Sequence, residues 1–310
     1  MINSKKMRLT MFAASMVAAG ALTGCFNDKS SDPSPAATSF SSTASLGALF
    51  GAVCTVKDNV GATLQTYNTT QTGKSDVALN VAANATYPLI ISCANNSANS
   101  ATYYDEGADA DLNLGTTVLK SIIPNAASLP QVGNDVAVTT LTSMAAALYE
   151  SLPANERNST SAIGSLENVA KALYPSLLDN GGYANLLQAP TTVVDSSAVL
   201  SGKAGQYAAV LAGLAKVAKD NYTPSKTAAE LASLLGTQAV GGSLDAAVTN
   251  NIVAQTKAYA QTNGDQGVKD DTANDSSGGG TVDKPSSGGT TGGTGGTGGT
   301  GGTGGSGGQP

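Results

Sequence analysis

The spacing of apolar residues changes near Pro130, and this change limits the folds that the chain can adopt. Before Pro130, apolar and polar residues alternate over short runs that end in turn residues, which is typical of β-strands. After Pro130, apolar residues recur three and four positions apart, which is typical of amphipathic helices. The expected fold class is therefore α+β, with an N-terminal antiparallel β-sandwich over residues 46–128 and an all-α domain of about five helices over residues 136–262.

The first 24 residues have the three parts of a bacterial signal peptide: a basic start, an apolar run and small residues at the exit. The apolar run is too short and too often interrupted by polar residues for a membrane-spanning helix. Residues 22–25, Leu-Thr-Gly-Cys, resemble the lipobox of bacterial lipoproteins. This resemblance implies cleavage before Cys25, which would carry a diacylglycerol and an N-acyl chain such as palmitate. The alternative is an ordinary secreted protein whose signal ends by chance near a cysteine.

The residue after Cys25 bears on the location of such a lipoprotein. In Gram-negative members of the family, Asp at this position favours retention in the inner membrane, and here the residue is Phe26. We therefore expect a protein of the bacterial cell envelope, lipid-anchored in the outer membrane and either periplasmic or surface-exposed. The lipidated Cys25 would begin a flexible tether over residues 25–45, because this segment is rich in Ser, Asp and Pro. Residues 263–310 are polar and then Gly/Thr-rich, which predicts a disordered low-complexity tail.

Charge and composition exclude several classes of function. The formal net charge is −6, and it becomes −9 when Lys5, Lys6 and Arg8 leave with the signal peptide. Such a surface argues against a nucleic-acid partner, because Lys and Arg must neutralise phosphates. The chain has no His, so it has no Ser-His-Asp or Cys-His catalytic arrangement and no His-liganded zinc or haem.

The three cysteines have a simple interpretation. If Cys25 carries lipid, Cys54 and Cys93 form an even pair, and such a pair in an exported protein predicts a disulfide. Cys54 shares a strand face with Phe50 and Val56, and Cys93 shares one with Leu89 and Ile91, so both thiols point toward the core. The bridge would close a loop of about 40 residues and stabilise the fold by roughly 3–4 kcal/mol. The alternative is two buried free thiols.

The start and end signals of two helices are specific enough to test. Thr139 or Thr140 can cap the first long helix, and Pro153 stops it. The pair formed by residues 223 and 224, Thr-Pro, predicts the start of a later helix that closes at Gly236.

A resemblance covers the β-like part of the chain. A strand ending near Val56, a turn over residues 58–61 (Asp-Asn-Val-Gly) and a second strand starting at Ala62 resemble prealbumin-like domains. These domains include the carboxypeptidase regulatory-like modules of exported bacterial proteins. Residues 138–146 resemble a segment that often follows such a module in bacterial lipoproteins. Because these modules are non-catalytic, the resemblance implies scaffolding or binding.

One segment is a candidate site. Residues 104–111 place Asp105, Asp109 and Asp111 near a glycine, and clustered carboxylates of this kind can coordinate calcium. Their spacing does not match an EF-hand loop. The alternative is a solvated acidic loop between strands. Apart from the acyl groups at Cys25, we expect no cofactor.

We therefore expect a membrane-anchored envelope lipoprotein with a non-enzymatic binding or structural role. Its partners would be the membrane, reached through the lipid anchor, and an envelope protein or glycan. The alternative is an envelope enzyme that acts on cell-wall or extracellular polymer through carboxylates. That alternative requires a cleft lined by two or more acidic residues with raised pKa values. A third possibility is an accessory subunit of a larger complex.

Overall fold

The computed structural model describes residues 37–221, 227–273, 275 and 280–286. The predicted signal peptide, Cys25 and most of the predicted tail lie outside these residues. Within them the fold is mixed α+β, as expected from the change of period near Pro130. The β-rich part contains the following strands: β1 (Thr38–Ser45), β2 (Leu49–Phe50), β3 (Val53–Lys57), β4 (Thr63–Asn68), β5 (Leu79–Val81), β6 (Leu89–Ala94), β7 (Thr102–Asp105), β8 (Ala110–Asn113), β9 (Leu119–Ile123) and β10 (Asp135–Thr139).

Seven of these strands form the main sheet in the order β4-β3-β6-β9-β10-β1-β5. The side chains along β3 and β6 follow the expected alternation of buried and less buried positions. Cys54 and Cys93 are directly opposite each other in the antiparallel β3–β6 pair and form a disulfide, which confirms the predicted bridge. Both cysteines are fully buried.

The two edge strands of the main sheet are joined through one side chain. The Gln65 amide on β4 donates to the carbonyl of Ala78 at 3.1 Å and accepts from the backbone N–H of Asn80 on β5 at 2.9 Å. The Gln65 amide thus gives the edge of β5 the donor and acceptor that a neighbouring strand would supply.

Strand β1 departs from the prediction of a flexible tether. Residues 38–45 lie inside the main sheet, between β5 and β10, and β1 pairs with β10 in parallel. The sequence is rich in Ser and Thr, but Phe40 and Ala44 are buried, and the buried hydroxyl of Ser42 bonds the Tyr67 hydroxyl at 2.5 Å. Buried hydroxyls with hydrogen-bond partners cost little, so a strand with polar residues can lie in the interior.

Strands β2, β7 and β8 form a separate, smaller sheet. Phe50 ends β2 and is 46% exposed, so it does not share a buried face with Cys54 as expected. Gly51, with a φ of +72°, turns the chain between the two sheets and interrupts the alternation that runs through the sequence.

Eight α-helices occur in the described residues: α1 (Ser128–Gln131), α2 (Thr140–Glu150), α3 (Ser159–Leu173), α4 (Ala184–Leu187), α5 (Gly202–Asn221), α6 (Ala228–Val240), α7 (Ala246–Asn263) and α8 (Gln266–Ala273). The five longest match the predicted helices. Thr139, and not Thr140, caps α2 in a capping box with Thr142. Helix α6 is capped by Thr227 and continues past Gly236, while the predicted start at residues 223 and 224 lies outside the described residues.

Strands and helices share one core, so the described residues do not separate into the two predicted domains. A single hydrophobic cluster includes Leu119 of β9, Met144 of α2 and Leu211 of α5. Beyond residue 263, where a disordered tail was expected, α8 is a helix and Val282 is buried. Val282 donates its N–H to the carbonyl of Gly242, so the described part of this segment packs along the helices.

Candidate functional site

The acidic segment between β7 and β8 is a tight turn against helix α5. The Asp105 carboxylate accepts from the N–H of Ala108 at 2.8 Å, and the Asp105 carbonyl accepts from the N–H of Asp109 at 2.8 Å. A Cβ atom on Gly107 would collide with the carbonyl oxygen of Ala215. Glycine at this position therefore permits the turn to approach the α5 backbone closely.

Asp105 is buried and ties this turn to the start of α6. Its second carboxylate oxygen accepts from the N–H of Ala228, the first residue of α6, at 3.2 Å and from the Tyr103 hydroxyl at 3.4 Å. A carboxylate at this end of a helix satisfies an otherwise unpaired N–H and interacts favourably with the helix dipole. Asp105 is therefore a structural residue of the turn.

Glu106 has the most unusual environment of the turn. Its side chain is buried, and among the described residues its Oε2 atom has no hydrogen-bond partner. Burial, reinforced by the nearby charge of Asp105, holds the pKa of this carboxyl well above its usual range, although Lys216 acts in the opposite direction.

Two lysines of α5 hold the turn in place through its backbone. The Lys216 ammonium donates to the carbonyl of Glu106 at 3.1 Å, and the Lys219 ammonium donates to the carbonyl of Gly107 at 2.8 Å. Both ammonium groups thus bond to backbone oxygens of the turn, and neither forms an ion pair with the Glu106 carboxyl.

A polar groove of about 520 Å³ opens between this turn and helices α5 and α7. We call it the lysine groove, and its lining includes Tyr104, Glu106, Asp109, Lys216, Asp220 and Tyr259. The Tyr104 hydroxyl donates to the Asp109 carboxylate at 2.5 Å. Burial and this hydrogen bond raise the pKa of Tyr104, and burial raises the pKa of Tyr259 to about 12. Both phenols therefore remain protonated hydrogen-bond donors near neutral pH.

A second groove of about 600 Å³ lies on the other side of Tyr104. We call it the phenylalanine groove, and its lining is Ala48, Phe50, Gln71, Thr72, Thr102, Tyr104, Asp111 and Val194. Tyr104 lines both grooves, so they meet at this residue. Together they offer hydroxyl, amide and carboxylate groups beside an exposed aromatic ring, an arrangement suited to binding a polar ligand.

The three predicted calcium ligands do not converge. Asp105 is buried at the start of α6, Asp109 bonds the Tyr104 hydroxyl, and Asp111 is exposed on β8 in the phenylalanine groove. Among the described residues no three His, Cys, Asp or Glu side chains gather to hold a metal ion. The segment is also not a freely solvated loop, because Tyr104, Asp105 and Glu106 are buried.

Sequence reasoning found the acidic turn but missed the residues that surround it. Lys216 and Tyr259 lie more than 100 positions along the chain, and nothing in the helical pattern shows that they face this turn. The one local signal was Tyr104 itself, an aromatic residue next to the acidic cluster.

Comparisons with protein-family models, with curated proteins and with solved structures yield no match for this chain. The resemblances to bacterial lipoproteins and to regulatory-like modules therefore stay predictions. In the part of the chain that the structure describes, no helix has the length and apolar character needed to cross a membrane.

Proposed function

We propose that the chain is a lipid-anchored protein of the bacterial envelope that binds a partner without transforming it. The anchor part rests on residues 22–25 and on the export signal that precedes them. The proposed location is the outer membrane, with the folded domain periplasmic or surface-exposed. The membrane is reached through the acyl groups of Cys25, and the further partner is an envelope glycan or protein.

The observation that carries the binding function is the pair of grooves that meet at Tyr104. Carboxylate catalysis needs two acidic groups with separated pKa values across a cleft. In the lysine groove the carboxyl of Glu106 has a raised pKa, and its side chain is buried. Asp109 is engaged by the Tyr104 hydroxyl. These features support binding over the enzymatic alternative.

The proposal also covers the type of domain that the β-rich part forms. We propose that it is a β-sandwich module of the prealbumin-like, regulatory-like kind. Alternating burial along β6 and the internal Cys54–Cys93 bridge support this interpretation.

Metabolic labelling tests the anchor. Cells that produce the full chain are grown with an alkyne-tagged palmitate, and the purified chain is examined for the tag. We expect label on the parent and none on Cys25→Ala. The matched control replaces Cys54 and Cys93 together by Ala, which removes the other two cysteines, and it should keep the label. An unlabelled parent would rule out the anchor.

Capture from envelope material tests the binding function. The full chain, solubilised in detergent, is incubated with envelope fragments, and the retained proteins and glycans are quantified. We expect enrichment of a partner, with the chain length of any retained glycan unchanged. Shortened glycan would instead support the enzyme, and the absence of any enriched partner would refute the proposal.

A further inference from the structure

We propose that the phenylalanine groove binds a pyranose ring of an uncharged linear glycan, with Phe50 as the surface on which the sugar stacks. This inference rests on the binding function proposed above and names the class of ligand.

The exposed ring of Phe50 lies on a face of the small sheet that carries polar groups. The register sets Phe50 opposite Thr102, and Thr102 opposite Asn113, so the three side chains share one face. Tyr104 and Asp111 form the next pair on this face. The other face packs into the core through the buried side chains of Leu49 and Tyr103. The ring of Phe50 therefore takes no part in this core packing.

Phe50 also separates two concave surfaces. Besides the phenylalanine groove, it borders an adjoining groove of about 540 Å³ that contains Asn68 and Asp76. Gln71 and Thr72 line both grooves. A single exposed apolar residue on a protein surface is normal and needs no function. An exposed ring between two grooves whose linings include amide, hydroxyl and carboxylate side chains is different, because a sugar can place its C–H face on the ring while its hydroxyls reach these polar groups.

The turn that carries Gln71 and Thr72 is held in one conformation. Thr70 donates its N–H to the carbonyl of Lys74 at 2.8 Å, and the carbonyl of Gly73 accepts from the N–H of Ala44 on β1 at 2.8 Å. A groove whose backbone is already fixed loses less entropy when a ligand binds. The turn therefore presents Gln71 and Thr72 beside Phe50 before any ligand arrives.

The charges select an uncharged ligand. Among the residues that the structure describes, no Lys or Arg lines either of the two grooves that border Phe50, whereas Asp111 and Asp76 do, so an anionic polymer is repelled. Asp76 already accepts two hydrogen bonds from Asn68. Asp111 is thus the one lining carboxylate with no hydrogen-bond partner among the described residues. A basic peptide would need several free carboxylates, whereas sugar hydroxyls can use one carboxylate together with amides and hydroxyls.

Titration calorimetry with defined oligosaccharides tests this inference. The full chain in detergent is titrated with cellohexaose, maltohexaose, xylohexaose and laminarihexaose. Hexagalacturonate serves as the anionic probe and hexalysine as the cationic peptide. We expect at least one uncharged hexasaccharide to bind, and neither charged probe to do so. Phe50→Ala should weaken this binding by about tenfold or more, whereas Phe50→Trp should preserve it.

The matched control is Val60→Ala, because Val60 is also an exposed apolar residue, at 76%, but lines neither groove. It should bind as the parent does. Gln71→Ala is a second groove variant and should also weaken binding. The inference is overturned if none of the four hexasaccharides binds, if a charged probe binds in their place, or if Phe50→Ala binds like the parent. Capture of an envelope protein in the absence of sugar binding would leave the proposed function standing and refute the glycan alone.

Discussion

The ammonium of Lys216 donates a hydrogen bond to the backbone carbonyl of Glu106, with the nitrogen and oxygen 3.1 Å apart. The same ammonium lies 5.6 Å from the centre of the Tyr259 ring. One side chain of α5 thus joins the acidic turn after β7 to α7, and it does so inside the lysine groove. The shape of that groove therefore depends on this partly buried cation, together with Lys219, which donates to the carbonyl of Gly107.

Replacing Lys216 by Met should destabilise the fold by about 1–3 kcal/mol, because a charged hydrogen bond and a cation–π contact are lost. The measurement is equilibrium unfolding in urea. Lys269→Met is the matched control, because the Lys269 ammonium of α8 donates no hydrogen bond within the described residues. It should change the free energy of unfolding by less than about 0.5 kcal/mol. Equal losses in both variants would show that the contacts of Lys216 contribute nothing.

Glu106→Gln should remove a pH-dependent loss of stability. The carboxyl ionises near its ordinary pKa of 4.5 in the unfolded chain, and burial holds the pKa well above that value in the folded state. The folded state therefore binds the proton more tightly. The contribution of this group to stability is complete below the unfolded pKa and is lost as the pH rises through the folded pKa. Within that window the loss is about 1.4 kcal/mol per pH unit.

Urea unfolding of the parent and of Glu106→Gln between about pH 4 and about pH 8 measures this effect. The variant should gain stability over the parent as the pH rises. Glu167→Gln, which removes a surface carboxylate that contacts Lys171 at 3.5 Å, should keep the pH slope of the parent. Parallel curves for the parent and Glu106→Gln would contradict the prediction.

Local sequence patterns predict much of this fold. Alternation along β3 and β6 brings Cys54 and Cys93 to buried faces, and the structure pairs them directly. The five long helices likewise follow from the spacing of their apolar residues. The apolar spacing does not predict strand β1, because its interior positions include the polar residues Ser42 and Thr43. Their side chains find hydrogen-bond partners in residues that are distant in sequence, such as Tyr67 and Asp135.

The grooves are less predictable than the fold. The acidic residues lie close together in sequence, yet the structure gives Asp105, Glu106 and Asp109 three different environments. Helices α5, α6 and α7 set those environments. Tertiary packing decides which face of each helix meets the turn, and local sequence patterns do not show it. The sequence does not predict the position of Phe50 for a related reason, because a turn at Gly51 places it in a different sheet from Cys54.

Thr139→Val should destabilise the fold by about 1–3 kcal/mol. The Thr139 hydroxyl accepts from the N–H of Thr142 at the start of α2 and bonds the buried Tyr207 hydroxyl at 2.5 Å. Valine has nearly the same shape but removes both the cap and the partner of Tyr207. Thr140→Val is the matched control, because Thr140 is also buried but makes no side-chain hydrogen bond among the described residues. Urea unfolding that gives equal losses for the two variants would assign the effect to packing instead of to the hydroxyl of Thr139.

Gly73→Ala should cost more stability than Gly61→Ala, although both glycines have a positive φ, of +76° and +87° respectively. An alanine at either position pays about 1–2 kcal/mol for the left-handed backbone. A Cβ atom at Gly61 meets no atom within 4 Å, whereas one at Gly73 collides with the carbonyl oxygen of Ala44. Relieving that collision should add about 1–3 kcal/mol, which urea unfolding of the two variants measures directly.

The same pair of variants tests whether β1 positions the sugar-binding turn. The collision at Gly73 would push the turn away from Ala44 and displace Gln71 and Thr72 from Phe50. Gly73→Ala should therefore weaken binding of the uncharged hexasaccharide under conditions in which the variant is still folded, and Gly61→Ala should not. If Gly73→Ala loses stability but binds the sugar as tightly as the parent, the turn does not contribute to the glycan site. The sugar would then contact Phe50 together with groove residues outside the turn.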